Sequence, residues 1–494
     1  QEYQIHSVTN SSTYTILARE VATLSSITVN GVYTPTQVNA NSSDTQNGGG
    51  STVATYQISN GLDTGVAGNG WGAGSWGRGT WGSAATLSVE GILRIWTHDN
   101  FGEDLLLNIR NGGIYYWDKT NGFSTRAVEL NTLTNSVKAP TIATQVLVSD
   151  RDRHIIAFGC DPESNIGTQD PLVIRFSSQE SLTDWESKAT NTAGELRLGS
   201  GSEIICAVET RQQVLVFTDV SLYAMQFIGP PFTFGINLIS ENITIRSSMS
   251  AIAIEDTVFW MGINEFYMFS GSVQKIPCSV KDFVFSDFNK EQSQKVFASS
   301  NAGYSEVWWF YPSASSTEID KYVVYNYEQR VWYVGSLART AWMDRGVDEY
   351  PIAASTDGYL YDHENGNDDG STSPVSAISA HIESSQMDIA EGEQFIFINR
   401  IIPDLTFNGS TASSPGADFT LKTRNFPGAT YSTTDTETVT RTATSTTVPF
   451  EQFTNQAFVR LRGRSFAFKI SSSGSGVRWR LGSPRVDFRS DGKR

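Results

Sequence analysis

No apolar run in this chain approaches the roughly 20 residues that a membrane-crossing helix needs, and no stretch resembles a secretory signal. Cysteine is scarce: Cys160, Cys206 and Cys278 are an odd number without metal-site spacing. That argues against a disulfide framework, and assembly in a reducing compartment is the simpler reading. The five histidines, His6, His98, His154, His363 and His381, are scattered with no ligand pair at short spacing. There is no Gly-x-Ser-x-Gly elbow, no His-Glu-x-x-His, no P-loop and no Gly-x-Gly-x-x-Gly after a strand. Positive charge is the minority sign, with 36 Lys and Arg against 52 Asp and Glu for a net of −16. A general nucleic-acid-binding protein would be basic, so this balance argues against one. Helical 3.6-residue spacing is hard to find anywhere along the 494 residues.

What is present is aromatic and β-branched. The chain holds 12 Trp, 18 Tyr and 27 Phe, many in period-two runs such as Gln394-Phe-Ile-Phe-Ile398. Such alternation marks half-buried strands, and the Thr, Ser and Gly content suits short strands and many turns. From about residue 104 to 366 a hairpin recurs: an apolar strand, a tight polar turn, then a strand carrying Tyr, Phe or Trp. Clear copies lie at 105–117, 214–223, 258–267 and 351–359, with less regular ones around 171–174 and 307–325. Tyr115, Ile174, Tyr223, Tyr267, Tyr322 and Tyr359 mark the register at intervals of 59, 49, 44, 55 and 37. Uneven spacing near 50 suits propeller blades with loop insertions better than an exact solenoid, and closing such hairpins into a ring leaves few free sheet edges.

The expected architecture is therefore all-β: a β-propeller followed by a C-terminal β-sandwich, with a partial β insertion at the N-terminus. Residues 1–60 read as short strands at 3–8, 14–18 and 53–58, with a polar Gly-rich loop over 39–50. Residues 61–90 form a Gly/Trp-rich ribbon in which Trp71, Trp76 and Trp81 fall five apart. The ribbon is either a loop pinned on its own domain or an arm that packs its indoles on a partner. Residues 91–374 are the propeller, and 375–494 read as a sandwich of about seven strands. Because the chain begins at Gln1 and not at Met, a processed form or further sequence upstream is expected.

Charge is unevenly placed. Residues 460–494 contain ten Lys or Arg and two Asp, a local net of +8, so the first 459 residues carry −24. In Val459-Arg460-Leu461-Arg462-Gly463-Arg464, alternation puts three arginines on one face and apolar side chains on the other. Arg478 and Arg480 flank Trp479 in the same way. The stripe is a solvated strand face, a contact with an acidic partner, or a surface beside phosphates; an acidic neighbour is the first choice for a chain this acidic elsewhere. Arg460, Arg462, Arg464, Arg478 and Arg480, with Trp71, Trp76 and Trp81, are the candidate subunit-interface residues. No catalytic residue, cofactor or metal site is expected. The acidic pairs Glu103-Asp104 and Asp368-Asp369 read as ordinary surface acids, and the loop 362–370, though rich in oxygen ligands, lacks EF-hand spacing and reads as a solvated turn.

Several stretches resemble one family: Leu93-Arg-Ile-Trp-Thr-His-Asp-Asn-Phe-Gly-Glu-Asp-Leu-Leu106, Arg110-Asn-Gly-Gly-Ile-Tyr-Tyr-Trp117, Glu306-Val-Trp-Trp-Phe-Tyr311 and Ile319-Asp-Lys-Tyr-Val-Val-Tyr-Asn326, continued by Leu337-Ala-Arg-Thr-Ala-Trp342, Tyr359-Leu-Tyr-Asp-His-Glu-Asn-Gly366 and Thr423-Arg-Asn-Phe-Pro-Gly428. Together they resemble tail structural proteins of short-tailed bacteriophages, the tail tubular protein B or nozzle group. The resemblance implies a propeller with a platform-like C-terminal sandwich. It implies a homo-hexamer forming a tube below the adaptor and portal, closing the distal end until DNA is ejected. The implied partners are the tail adaptor protein, a tail fibre or tailspike, and genomic DNA that passes without specific binding. No membrane insertion is implied, and the implied location is the virion tail, assembled in the host cytoplasm. Family members carry more sequence ahead of a segment like 1–5, which leaves room for a blade or strand upstream. The alternatives are a receptor-binding propeller at a tail tip and a virion-borne glycan hydrolase.

Overall fold

The computed structural model describes residues 5–10, 13–16, 93–388, 390–426 and 445–493. The strand expected over 53–58 and the ribbon of Trp71, Trp76 and Trp81 lie outside the described residues. The chain divides into two units, Gln1–Asn60 and Gly61–Arg494. In the first, Ile5–Asn10 pairs antiparallel with Thr13–Ile16 as a hairpin.

The second unit is all-β apart from one short α-helix, Lys281–Ser286, and scattered single turns of 3-10 helix among the described residues. It begins with six consecutive antiparallel sheets, each a simple meander. Five have four strands and start at Trp96–Phe101, Gln145–Val148, Ile204–Glu209, Ala251–Ile254 and Phe297–Asn301. The sixth has three, Ala341–Met343, Ile352–Ala354 and Leu360–Asp362. The first strand of each sheet neighbours the first strand of the next, all the way from sheet one to sheet six. This is a propeller arrangement, with first strands innermost.

The register marks in the sequence fall at equivalent places. Tyr115, Ile174, Tyr223, Tyr267 and Tyr322 all lie on third strands, and Tyr359 immediately precedes the third strand of sheet six. In that last sheet Asp357 and Gly358 turn the hairpin, with Gly358 at φ +86°, a conformation that costs glycine little.

The propeller core lies between sheets, in five apolar seams. Sheets one and two close over Leu106, Ile114, Val146 and Trp185; two and three over Phe158, Ile174, Val216 and Phe234; three and four over Leu215, Phe217, Trp260 and Phe269. Sheets four and five share Met261, Phe266, Trp309 and Tyr325, and five and six share Trp308, Phe310 and Trp342. Central strands therefore serve two seams at once. In Glu306–Tyr311 every residue is buried: Val307, Trp309 and Tyr311 face sheet four, while Trp308 and Phe310 face sheet six. A strand covered on both faces reads as a continuous apolar run, where one-sided burial gives alternation. Among the described residues no comparable apolar seam joins sheet six to sheet one, whose first strand is at most half-buried throughout.

Beyond residue 375 lie two packed sheets. One runs Ala380–Glu383, Ser465–Ser472, Gly416–Arg424 and Ser445–Glu451, with Met387–Asp388 also on Ser465–Ser472. The other has Ile396–Ile402 at its centre, between Ala457–Gly463 and Arg485–Ser490. Ile396, Ile398, Val459 and Leu461 from the second sheet meet Phe419, Leu421, Phe450 and Ile470 from the first in one core slab. Face-to-face packing of this kind is a β-sandwich. Here one-sided burial is common, and Ala457–Gly463 alternates strictly between buried and outward residues.

Candidate functional site: the arginine face of the sandwich

Alternation along Ala457–Gly463 sends Val459 and Leu461 inward and Phe458, Arg460 and Arg462 outward. The neighbouring strand Ile396–Ile402 contributes Phe397, which lies opposite Arg462 on one side and Arg489 on the other. Past a bulge at Asn399, Arg400 lies opposite Phe458 and Asp487. Two rows of arginine and phenylalanine thus cross the sheet. The guanidinium of Arg462 sits 3.9 Å from the ring centre of Phe395, with Arg464 at 4.7 Å over the same ring, and that of Arg489 sits 4.8 Å over Phe397. Such stacking keeps the charged group partly dry and fixes its direction.

The five arginines singled out in the sequence do not form one surface. Arg460 is exposed on the face. Arg462 shares the face but donates from Nε to Asp491 at 2.5 Å, so its charge is matched within the chain. Arg464 turns aside, donating to the carbonyls of Gly392, Glu393 and Lys493 at 3.2, 3.0 and 3.1 Å. Arg478 is exposed but tied to a loop, exchanging backbone hydrogen bonds with the Ser410 hydroxyl at 2.8 and 2.9 Å. Arg480 is exposed on the short strand Arg480–Leu481, paired with Leu405–Thr406. Arg489 and Arg400, together with the phenylalanines, were not singled out by sequence reasoning. The signal was present in the period-two pattern of 394–402 and 485–490, but cross-strand pairing is needed to bring it onto the same face.

The acidic loop 362–370 is largely exposed, as a solvated turn is, and two of its residues also tie it to the sandwich. The Asp368 carboxylate accepts from the Gly476 N–H at 2.7 Å, and the Asn367 amide donates to the Gly409 carbonyl at 2.9 Å. Asp369 accepts from Ser371 N–H at 2.9 Å, Glu364 from the Asn301 amide at 3.1 Å, and His363 Nε2 from Arg339 Nε at 2.9 Å. The acids are dispersed to different partners, and among the described residues no three His, Cys, Asp or Glu side chains converge as metal ligands. At Glu103-Asp104, Asp104 accepts from Tyr116 at 2.6 Å while Glu103 pairs with Lys119 at 2.9 Å.

One carboxylate that sequence reasoning missed lies deeper. Glu306 is nearly buried beside the fifth seam, where it accepts from the Trp308 indole at 3.0 Å and from the Tyr333 hydroxyl. Burial raises its pKa, opposed by those two hydrogen bonds, and the charge of nearby Glu364 adds to the rise. An acid pair among aromatics is the arrangement a glycan hydrolase would need. Here both Glu306 oxygens are already engaged by the fold. The thiols of Cys160, Cys206 and Cys278 are free, and burial pushes that of Cys206 up to about 12. A thiol held protonated in this way is a poor nucleophile.

No family model matches the chain, and no curated protein matches it. Among solved structures, Hsv2 of Kluyveromyces marxianus is similar at a TM-score of 0.33 and 10% identity, over 55% of this chain and 74% of that one. The extracellular domain of the hybrid two-component system BT4673 from B. thetaiotaomicron gives 0.35 and 12%, over 55% and 32%. The Synechocystis apocarotenoid oxygenase gives 0.31 and 9%, over 54% and 68%. Likeness this distant carries no argument about what the chain does.

Proposed function

We propose that this chain is a structural protein of a short bacteriophage tail, whose copies join in a ring or tube through which DNA leaves the virion. The observation that carries the reading is the division of charge: −24 over the first 459 residues and +8 over the last 35. A conduit wall must not retain phosphates, and an acidic body repels them, so a translocating duplex does not stick. The arginine-bearing end gives each copy a face unlike its other faces, which a closed ring of head-to-tail contacts requires. The sequence resemblance to nozzle proteins supports the same reading, with six copies docked below an adaptor and portal. Sheets buried on both faces make a stiff subunit, as a pressure-bearing wall demands.

In this reading the chain is not an enzyme. The test is to mix the protein with the portal–adaptor complex of its phage and examine the product by electron microscopy. A tube added to the distal end of the complex is expected. A protein that binds host cells on its own and never joins the complex would favour a tail-tip adhesin. Turnover of host surface glycan, lost on Glu306→Gln, would favour the hydrolase.

A further inference from the structure

We propose that the outer face of the sheet formed by Ala457–Gly463, Ile396–Ile402 and Arg485–Ser490 docks onto acidic turns of the propeller in a second copy of this chain. The inference rests on the assembly reading above and names the surface that assembly uses.

The face is built from the two residue types most enriched where proteins meet, arginine and large aromatics. Phe458, on an edge strand of this face, is 76% exposed, a cost that a solvated strand would ordinarily avoid with a polar residue. Two of its cations are matched inside the chain, Arg462 with Asp491 and Arg400 with Asp487. Arg460 and Arg489 are exposed, and among the described residues neither makes an ion pair. They stand beside Phe458 and Phe397, so a partner covering the phenylalanines also meets two guanidinium groups. A weakly hydrated guanidinium is the cation least costly to cover, provided a carboxylate faces it.

The occupant follows from charge complementarity. The chain's own body supplies a net of −24, and two of its acidic pairs stand on turns that a flat face could reach. Glu255 and Asp256 form the exposed turn between the first two strands of sheet four, and Asp348 and Glu349 are exposed in the equivalent turn of sheet six. Both turns follow innermost strands, so both lie at the same end of the propeller. A copy that presents its arginine face to these turns in its neighbour leaves its own turns open to a third, which is the head-to-tail geometry of a ring.

The test uses the full chain in sedimentation velocity at low and high salt. The natural chain is expected to associate, and more weakly as salt rises. Arg460→Glu with Arg489→Glu should weaken association at least tenfold while leaving the thermal unfolding profile in place. Glu255→Arg with Asp256→Arg, or Asp348→Arg with Glu349→Arg, should weaken it likewise. Mixing the arginine-reversed chain with an acid-reversed chain should restore mixed assemblies. If the arginine-reversed chain assembles like the natural one, the surface is overturned and the tube reading stands. If mixing restores nothing, the turns are the wrong partner and the proposal fails. A natural chain that stays monomeric at every concentration overturns both the surface and the ring.

Discussion

Two strands of nearly equal length, Glu306–Tyr311 in the propeller and Ala457–Gly463 in the sandwich, solve burial in opposite ways. The first hides every side chain by lying between two other sheets, and four of its six residues are consecutive large aromatics. The second hides alternate side chains against a single facing sheet, and its outward positions are left for Phe458, Arg460 and Arg462. A strand with no open face carries no message on its surface. In the sandwich the outward side of this strand stays open to solvent. The propeller meets solvent mainly through turns, edges and the open sides of sheets one and six, and acidic pairs such as Glu255–Asp256 stand on those turns.

The contrast can be broken most severely at the seams. Trp309→Ala removes a fully buried indole that donates to the Ser250 carbonyl at 3.0 Å, packs at a tilt on Phe266 and stacks on Trp332. The expected loss is roughly 3–5 kcal/mol, with sheets four and five unfolding early and the sandwich transition unmoved. Denaturant titration followed by near-ultraviolet circular dichroism reads it; a loss shared equally by both parts would mean the seams do not act locally. A smaller effect belongs to Arg175→Met in sheet two. Its buried guanidinium donates to the carbonyls of Lys138, Trp185 and Asp161, the last two at 3.2 and 3.3 Å. Leaving these acceptors without a donor should cost roughly 2–4 kcal/mol, measured as a fall in the urea midpoint.

A pH dependence comes next. His363 accepts from Arg339, and burial, then the Arg339 charge, lower its pKa from the ordinary 6.5 to about 4. The unfolded chain therefore takes up the proton first. The contribution of this neutral histidine is complete above pH 6.5 and is lost as pH falls toward 4. His363→Gln should flatten the stability difference between pH 7 and pH 5; an unchanged slope would show that other groups set it. The smallest effect is expected on the open face, where Phe458→Ser should alter stability by no more than about 0.5 kcal/mol.

These expectations mark where the sequence was readable. The aromatic register marks predicted six equivalent hairpins because each mark sits on or beside a third strand, and local pattern decides a meander. The alternation at 457–464 was legible for the same reason, since one face of the strand is left open. What alternation could not give is which arginines share a surface. Arg478 was chosen by its flanking of Trp479, yet its backbone is fixed by Ser410, 68 residues away. The loop 362–370 reads as a solvated turn and is mostly exposed, but its ties to the sandwich are not legible in its composition. Its partners Gly409 and Gly476 come from the sandwich, the latter 108 residues away from Asp368, and no local rule reaches that far. Glu306 opens a strand that ends in four aromatics, and a lone carboxylate there gives no periodic signal until Tyr333 is brought across the sheet to meet it.

The central claim is that copies of this chain close into a ring with a central opening. The most direct measurement is the mass of the particle in solution, taken with its rotational symmetry in electron micrographs of the same sample. Six copies with six-fold symmetry around a channel wide enough for duplex DNA are expected. A chain that remains a monomer, or forms a compact trimer without a channel, would contradict it.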